Sequence, residues 1–308
     1  MAPSNASTSA DPFARQGFWG PVTATLDWCE ENYKFSHYIC EVANTFSNVF
    51  TIWIALHGAR KTLEQSLPKR FLVGWLGFAL VGIGSFAFHA TLLYEAQLAD
   101  ELPMIFVASY SAFILYNTET GFGHRNLRSY FLALAVAAFD ILFTWSYATW
   151  YRNPMYHQIV FALLVIATSS RVTYLIRWSP ASMRVPDKTR SSILQMFWTG
   201  AGLFALGFGI WNMDNALCGT LTRWKASIGW PAALLLEGNE RNFLPFTRHA
   251  EPQAGHSWWH VFTAWGTYLM ISGVICETVC VKDDPRRYRL GGSSGLPHVE
   301  IVKLTKTQ

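Results

Sequence analysis

Apolar residues in this chain gather into seven long runs divided by short polar stretches. The runs lie at 42–59, 71–93, 102–117, 128–148, 157–177, 193–213 and 257–279. Each is helical in length and rich in Leu, Ala, Phe and Trp, with Gly scattered as in membrane helices. Strands of a membrane barrel would be shorter and strictly alternating. The pattern predicts an all-α integral membrane bundle of seven transmembrane helices over 42–279. A polar segment, 1–41, precedes it, and a tail at 280–308 reads as disordered. No internal repeat interrupts this single domain.

Composition agrees: 51% of the 308 residues are hydrophobic and only 14% are charged, against about 25% in a soluble domain. Residues 1–18 have no apolar core, so the first membrane helix is expected to direct insertion. Basic residues set the orientation. Residues 60–70 hold four Lys or Arg, 125–128 two, 177–190 four and the segment from 282 onward six, sixteen in all against seven in the other connections. By the positive-inside rule the amino terminus is lumenal and the carboxyl terminus cytosolic. The net charge of +4 follows from that topology and gives no reason to expect nucleic acid. The tail's basic cluster can meet anionic lipid, and Asn5 opens a glycosylation triplet on the lumenal side.

Ionisable groups at membrane depth are costly and mark functional sites. Here they gather near the lumenal leaflet: Ser85 and His89 late in the second run, Asp100 before the third, His256 and His260 at the start of the seventh. Residues four apart share a helix face, so His256 and His260 can offer two imidazoles to one ion. Three His with an open fourth position is the layout of a catalytic zinc site. Each His taken singly also reads as a hydrogen-bonded interface residue. Asp100 reads locally as a helix N-cap, and Ser85 as a small packing residue. Farther upstream, "LDWCEENY" sets Asp27, Glu30 and Asn32 within six positions, with Glu41 ahead of the first helix. Such oxygen donors suit calcium, while their spacing alone favours a solvated acidic turn.

The stretches "GFWGPVTATLDWCEENY", "GIGSFAFHATLLYEAQLADELPM", "WNMDNALC" and "GHSWWHVFTAWGTYL" resemble the alkaline ceramidases. These are seven-helix zinc amidases of the ceramidase and adiponectin-receptor superfamily. The resemblance runs from about Gly17 to Glu277. It implies hydrolysis of a ceramide amide to a fatty acid and a sphingoid base, with zinc on His89, His256 and His260. Asp100 would then be the proton carrier and Ser85 an oxyanion donor. It also implies calcium on Asp27, Glu30, Asn32 and Glu41 with the Trp28 carbonyl, leaving Glu31 to solvent, so that calcium orders the amino-terminal segment over the site.

Cys29 and Cys218 share the lumenal side, where oxidation is permitted, and are expected to pair. Two free buried thiols are the alternative, and Cys40, Cys276 and Cys280 are expected to be reduced. Asp214 either holds a zinc-ligating His through its second nitrogen or is a plain helix-end carboxylate. One departure from the family is an apparent insertion at 239–255, whose removal would restore "LLLEGHSWWH". The expected partners are membrane lipids and a ceramide-type substrate entering from the bilayer, with the chain monomeric in the endoplasmic reticulum or Golgi membrane. A seven-helix receptor of the adiponectin-receptor type and a lipid esterase of the GPI-remodelling type share the zinc pattern. The acidic segment and lumenal amino terminus favour the ceramidase.

Overall fold

The computed structural model describes residues 17–122, 126–228, 255–293 and 295–302, with backbone only at 215, 218, 219 and 221–228. The expected insertion at 239–255 therefore lies almost wholly outside the described residues. Seven long helices follow in order: α1 (Val42–Glu64), α2 (Arg70–Thr91), α3 (Tyr94–Tyr116), α4 (Leu127–Trp145), α5 (Pro154–Arg177), α6 (Asp187–Ile228) and α7 (Gly255–Lys282). Six of them, α2 to α7, are long and apolar enough to cross a membrane. The exception, α1, carries Asn44, Thr45, Asn48 and Thr51 on its buried face, and those residues lie near the site. On α4 the apolar side chains point outward, with Phe131, Leu134 and Ile141 more than 60% exposed. Water would penalise such a surface, whereas lipid favours it, so the chain is a multi-pass membrane protein.

The bundle is organised around α7, which packs along α6 and α1 while α2 lies between α1 and α3. Two close approaches fix the site. At the α6–α7 crossing, a methyl group on Gly200 would meet the Gly266 carbonyl, and one on Gly266 the Gly200 carbonyl. This is the small-residue contact that lets membrane helices touch. At the α2–α3 crossing, any side chain on Gly84 would run into the Ala99 carbonyl. Pro103, four residues on, lacks the N–H that would otherwise bond that carbonyl. The backbones therefore meet directly beside Ser85 and Asp100.

Two expectations need correction. The local reading of Asp100 as an N-cap fails, because α3 starts at Tyr94 after a left-handed Leu92 and Asp100 lies inside the helix. The helix carries Pro103 internally. The tail is also more ordered than its composition indicates. Strands β1 (Tyr288–Gly292) and β2 (Pro297–Ile301) pair as an antiparallel hairpin with Tyr288 opposite Ile301 and Leu290 opposite Val299. Tyr288 and Val299 are buried in the main core. This short apolar alternation is enough to dock the hairpin because the ends of α1, α6 and α7 supply the opposing surface.

At the other end, residues 17–41 are laid across the helices by backbone bonds. Thr23 and Ala24 N–H donate to the Leu92 carbonyl, Cys40 to Ala90 and Glu41 to His89. Gln97 of α3 accepts from the Thr25 N–H at 2.8 Å.

Candidate metal centre

The end of α2 and the start of α7 converge beneath this amino-terminal segment. His89 ends α2, while His256 and His260 occupy successive turns of α7. Each is at most 6% exposed, and one ring nitrogen from each lies within 4.8 Å of the others. Ring centroids stand 4.7 to 5.1 Å apart. Second nitrogens are held from behind. His89 Nδ1 lies 2.5 Å from Glu41 Oε2, and His260 Nδ1 lies 2.6 Å from Ser47 Oγ. The ionised carboxylate accepts from His89 Nδ1–H and leaves Nε2 of that ring for a metal. Ser47, with Asn48 Nδ2 at 3.4 Å, occupies Nδ1 of His260. Outer partners of this kind orient metal-bound His. The Trp28 indole stacks on His256 at 3.8 Å. A buried set of three imidazoles with outer partners suits a zinc-like ion. The spacing of His256 and His260 announced this pair, whereas the partnership of Ser47 and Glu41 with the histidines has no local sequence signal.

Ser85 and Asp100 stand together beside the Gly84 contact, within interacting distance of one another. Both, with His260, line a mostly apolar cavity of about 140 Å³. A second cavity of about 310 Å³ is lined by His89, His256, His260, Asp100 and Glu101 beneath Trp28. His260, Asp100 and Met104 border both, so the two open onto the same polar atoms.

The acidic segment is built around a helix start. Glu30 accepts from the Ala43 and Asn44 N–H groups at 2.8 and 2.9 Å, capping α1 with both carboxylate oxygens. Asp27 accepts from the Trp28 N–H and from Asn32 Nδ2. Among the described residues, Glu41 Oε1 and Asn32 Oδ1 are buried oxygens with no hydrogen-bond partner. Burial and the adjacent Glu41 push the Glu30 carboxyl up to about 8, and burial raises Asp27 too. Crowded carboxylates with orphaned oxygens fit a hard cation such as calcium. Glu31 turns outward to pair with Lys34 at 3.4 Å.

Cys29 is disulfide-bonded, and Cys40, Cys276 and Cys280 are free thiols. The side chain of Cys218, its expected partner, lies outside the described residues, but Cys29 Sγ sits 3.3 Å from the Asp214 carbonyl, on the same stretch of α6. Asp214 is buried, and its charge reaches Glu41.

What these features define is a helical membrane bundle with a buried three-histidine centre and an acid–hydroxyl pair beside it. A family profile described as "Ceramidase" matches residues 20–239, ending where the apparent insertion begins. Alkaline ceramidase 3 of Mus musculus is 33% identical over 260 residues, covering 83% of this chain and 85% of its own. An alkaline ceramidase of Arabidopsis thaliana is 31% identical over 293 residues, covering 94% and 97%. Alkaline ceramidase YPC1 of Saccharomyces cerevisiae is 32% identical, covering 83% and 77%. The chain belongs to the ceramidase family, enzymes that hydrolyse a lipid amide.

Proposed function

We propose that the chain is a zinc-dependent, calcium-activated ceramidase that splits ceramide, or its dihydro or phyto form, into a fatty acid and a sphingoid base. The observation that carries this reading is the meeting of His89, His256 and His260 with Asp100 and Ser85 at the junction of two apolar cavities. An ion held by the three imidazoles supplies Lewis acidity, making a water reactive near neutral pH and drawing charge from the amide carbonyl. Asp100 takes the proton of the attacking water and delivers it to the departing amine nitrogen. Ser85 donates to the carbonyl oxygen as it gains negative charge. Water adds across the C–N bond, so one acid and one amine leave for each amide consumed.

Calcium on Asp27, Glu30, Asn32, Glu41 and the Trp28 carbonyl holds residues 17–41 over the centre, so that Trp28 closes one wall. It positions without entering the chemistry. Asp214, beside Glu41, adds negative charge that such an ion offsets. The Cys29–Cys218 bond would tie this segment to α6. We place the amino terminus in the lumen of the endoplasmic reticulum or Golgi, seven helices in the bilayer and a monomer as the working unit. The substrate enters sideways from lipid, while water and calcium arrive from the lumen.

The test follows fatty-acid release from defined ceramides by mass spectrometry, using detergent-purified protein. Wild type should release fatty acid, His256→Ala should not, and calcium chelation should reduce the rate. No release by a folded, zinc-loaded sample would overturn the assignment.

A further inference from the structure

Glu101 follows Asp100 on α3 but faces away from Ser85, toward α4 and α5. It lines the larger cavity together with His89, His256 and His260, and it is 7% exposed. Nothing in the proposed hydrolysis uses it.

Its surroundings are built. The Tyr147 hydroxyl donates to Glu101 Oε2 at 2.5 Å. Gln97 Nε2 donates to Oε1 and Oε2 at 3.2 and 3.3 Å, and Gln97 is itself tied to Thr25 of the amino-terminal segment. His157 Nε2 donates to the Glu101 main-chain carbonyl at 2.9 Å. Tyr147 reaches this position from a π-helical turn, Ser146–Trp150, that continues α4 and buries Tyr147 completely. Such turns are rare and are found mostly at functional sites.

An ionised carboxylate has about four acceptor positions. Tyr147 and Gln97 use part of that capacity, and among the described residues Oε1 receives only the 3.2 Å Gln97 bond. Among the described residues no Lys or Arg forms an ion pair with it. A carboxylate walled into an apolar cavity is costly unless donors surround it, so it selects a ligand that brings an O–H. Ceramide carries two hydroxyls, each two bonds from the carbon that bears the amide nitrogen. With the carbonyl beside Ser85 and Asp100, those hydroxyls lie on the amine side of the scissile bond.

We propose that Glu101, aimed by Tyr147 and Gln97, is the specificity residue that accepts a hydrogen bond from a sphingoid-base hydroxyl. This rests on the ceramidase reading above. Glu101 touches substrate but moves no proton in the reaction. It also sets what is refused: a phosphorylated headgroup offers charge of the same sign and is rejected.

The test compares ceramide, 1-deoxyceramide and 3-deoxyceramide on wild type and Glu101→Gln, with zinc content and thermal melting checked for each protein. Wild type should lose tenfold or more in kcat/KM on the analogue that lacks the recognised hydroxyl, mainly through KM. The Glu101→Gln change should cost a similar factor on ceramide and on the other analogue, and almost nothing on the analogue already lacking that hydroxyl. Which analogue is insensitive identifies the hydroxyl. If wild type cleaves both deoxy analogues as well as ceramide, the proposal is overturned even should the variant fail to fold. An equal loss on all three substrates with KM unchanged would mean a structural role and would also overturn it. Failure of wild type on every ceramide would instead remove the ceramidase reading itself, and the Glu101 assignment with it.

Discussion

Glu41 Oε2 lies 2.5 Å from His89 Nδ1, and both side chains are buried. The same carboxylate keeps Oε1 free of any hydrogen bond within the acidic segment. One residue thus faces two sites: it orients a histidine of the three-histidine centre and turns an oxygen toward the acidic segment. Its backbone N–H is bound to the His89 carbonyl as well, so the two residues cannot drift apart independently.

Removing that charge should therefore disturb both ions. Glu41→Gln should lower zinc affinity 10- to 100-fold, the usual cost of losing a carboxylate behind a ligating His. Glu30→Gln touches no histidine and should weaken only the response to calcium. Zinc retention after dialysis against a graded chelator, measured by elemental analysis, separates the two. Equal zinc retention in wild type and Glu41→Gln would refute the coupling.

Calcium removal should loosen residues 23–41 while leaving α7 intact. The segment is held by main-chain bonds to Ala90 and Leu92 and by the Trp28 stack on His256, and its carboxylates repel one another when no cation is present. Hydrogen exchange followed by mass spectrometry should show faster exchange over 23–41 in chelator, reversed by calcium. Unchanged exchange would mean that the capping bonds of Glu30 suffice alone.

Gly84→Val should abolish activity at a site that carries no chemistry. The added side chain meets the Ala99 carbonyl and must push α3 away from α2, parting Ser85 from Asp100. Overpacking of this kind costs about 1–3 kcal/mol, so a lower melting temperature with zinc retained and activity down more than 100-fold is expected. Full activity would show that the crossing tolerates expansion.

Acid should release the carboxyl-terminal hairpin. The Tyr288 hydroxyl donates to Asp283 at 2.7 Å, with Arg287 at 2.9 Å, and the Tyr288 bond holds that carboxyl below its ordinary 3.8. A depressed carboxyl adds stability above its unfolded value and loses it as pH falls through the folded one. Limited proteolysis of 285–302 should be slow at pH 7 and faster near pH 3, and Asp283→Asn should be fast at both. Equal rates for wild type at the two pH values would contradict the anchor.

The helices and the pairing of His256 with His260 are legible in the sequence because long apolar runs and four-residue spacings are local signals. His256 and His260 stand on successive turns of α7 as their spacing requires. Asp100 was legible as a site residue but was misplaced within its element, since Pro103 looks like a helix start and only the backbone contact with Gly84 explains its presence inside α3. Glu101, Tyr147 and His157 escaped notice because they come from three helices and meet only after packing. The hairpin escaped because five-residue strands gain stability from the helix ends they cover, which composition does not record.

That hairpin has a further consequence. Lys282 donates to the Asn117 carbonyl at 2.8 Å, Ile301 reaches Gln65 at the end of α1, and a cavity of about 10 Å³ lies where His298 and Val299 meet α1, α2 and α7. The bundle is therefore a cup stoppered at its base, with its histidines near the rim. Among the described residues the hairpin covers the end of the bundle away from the histidines. The two halves of a lipid cleaved beside His89 thus have their shortest way out on the histidine side, sideways or over the rim.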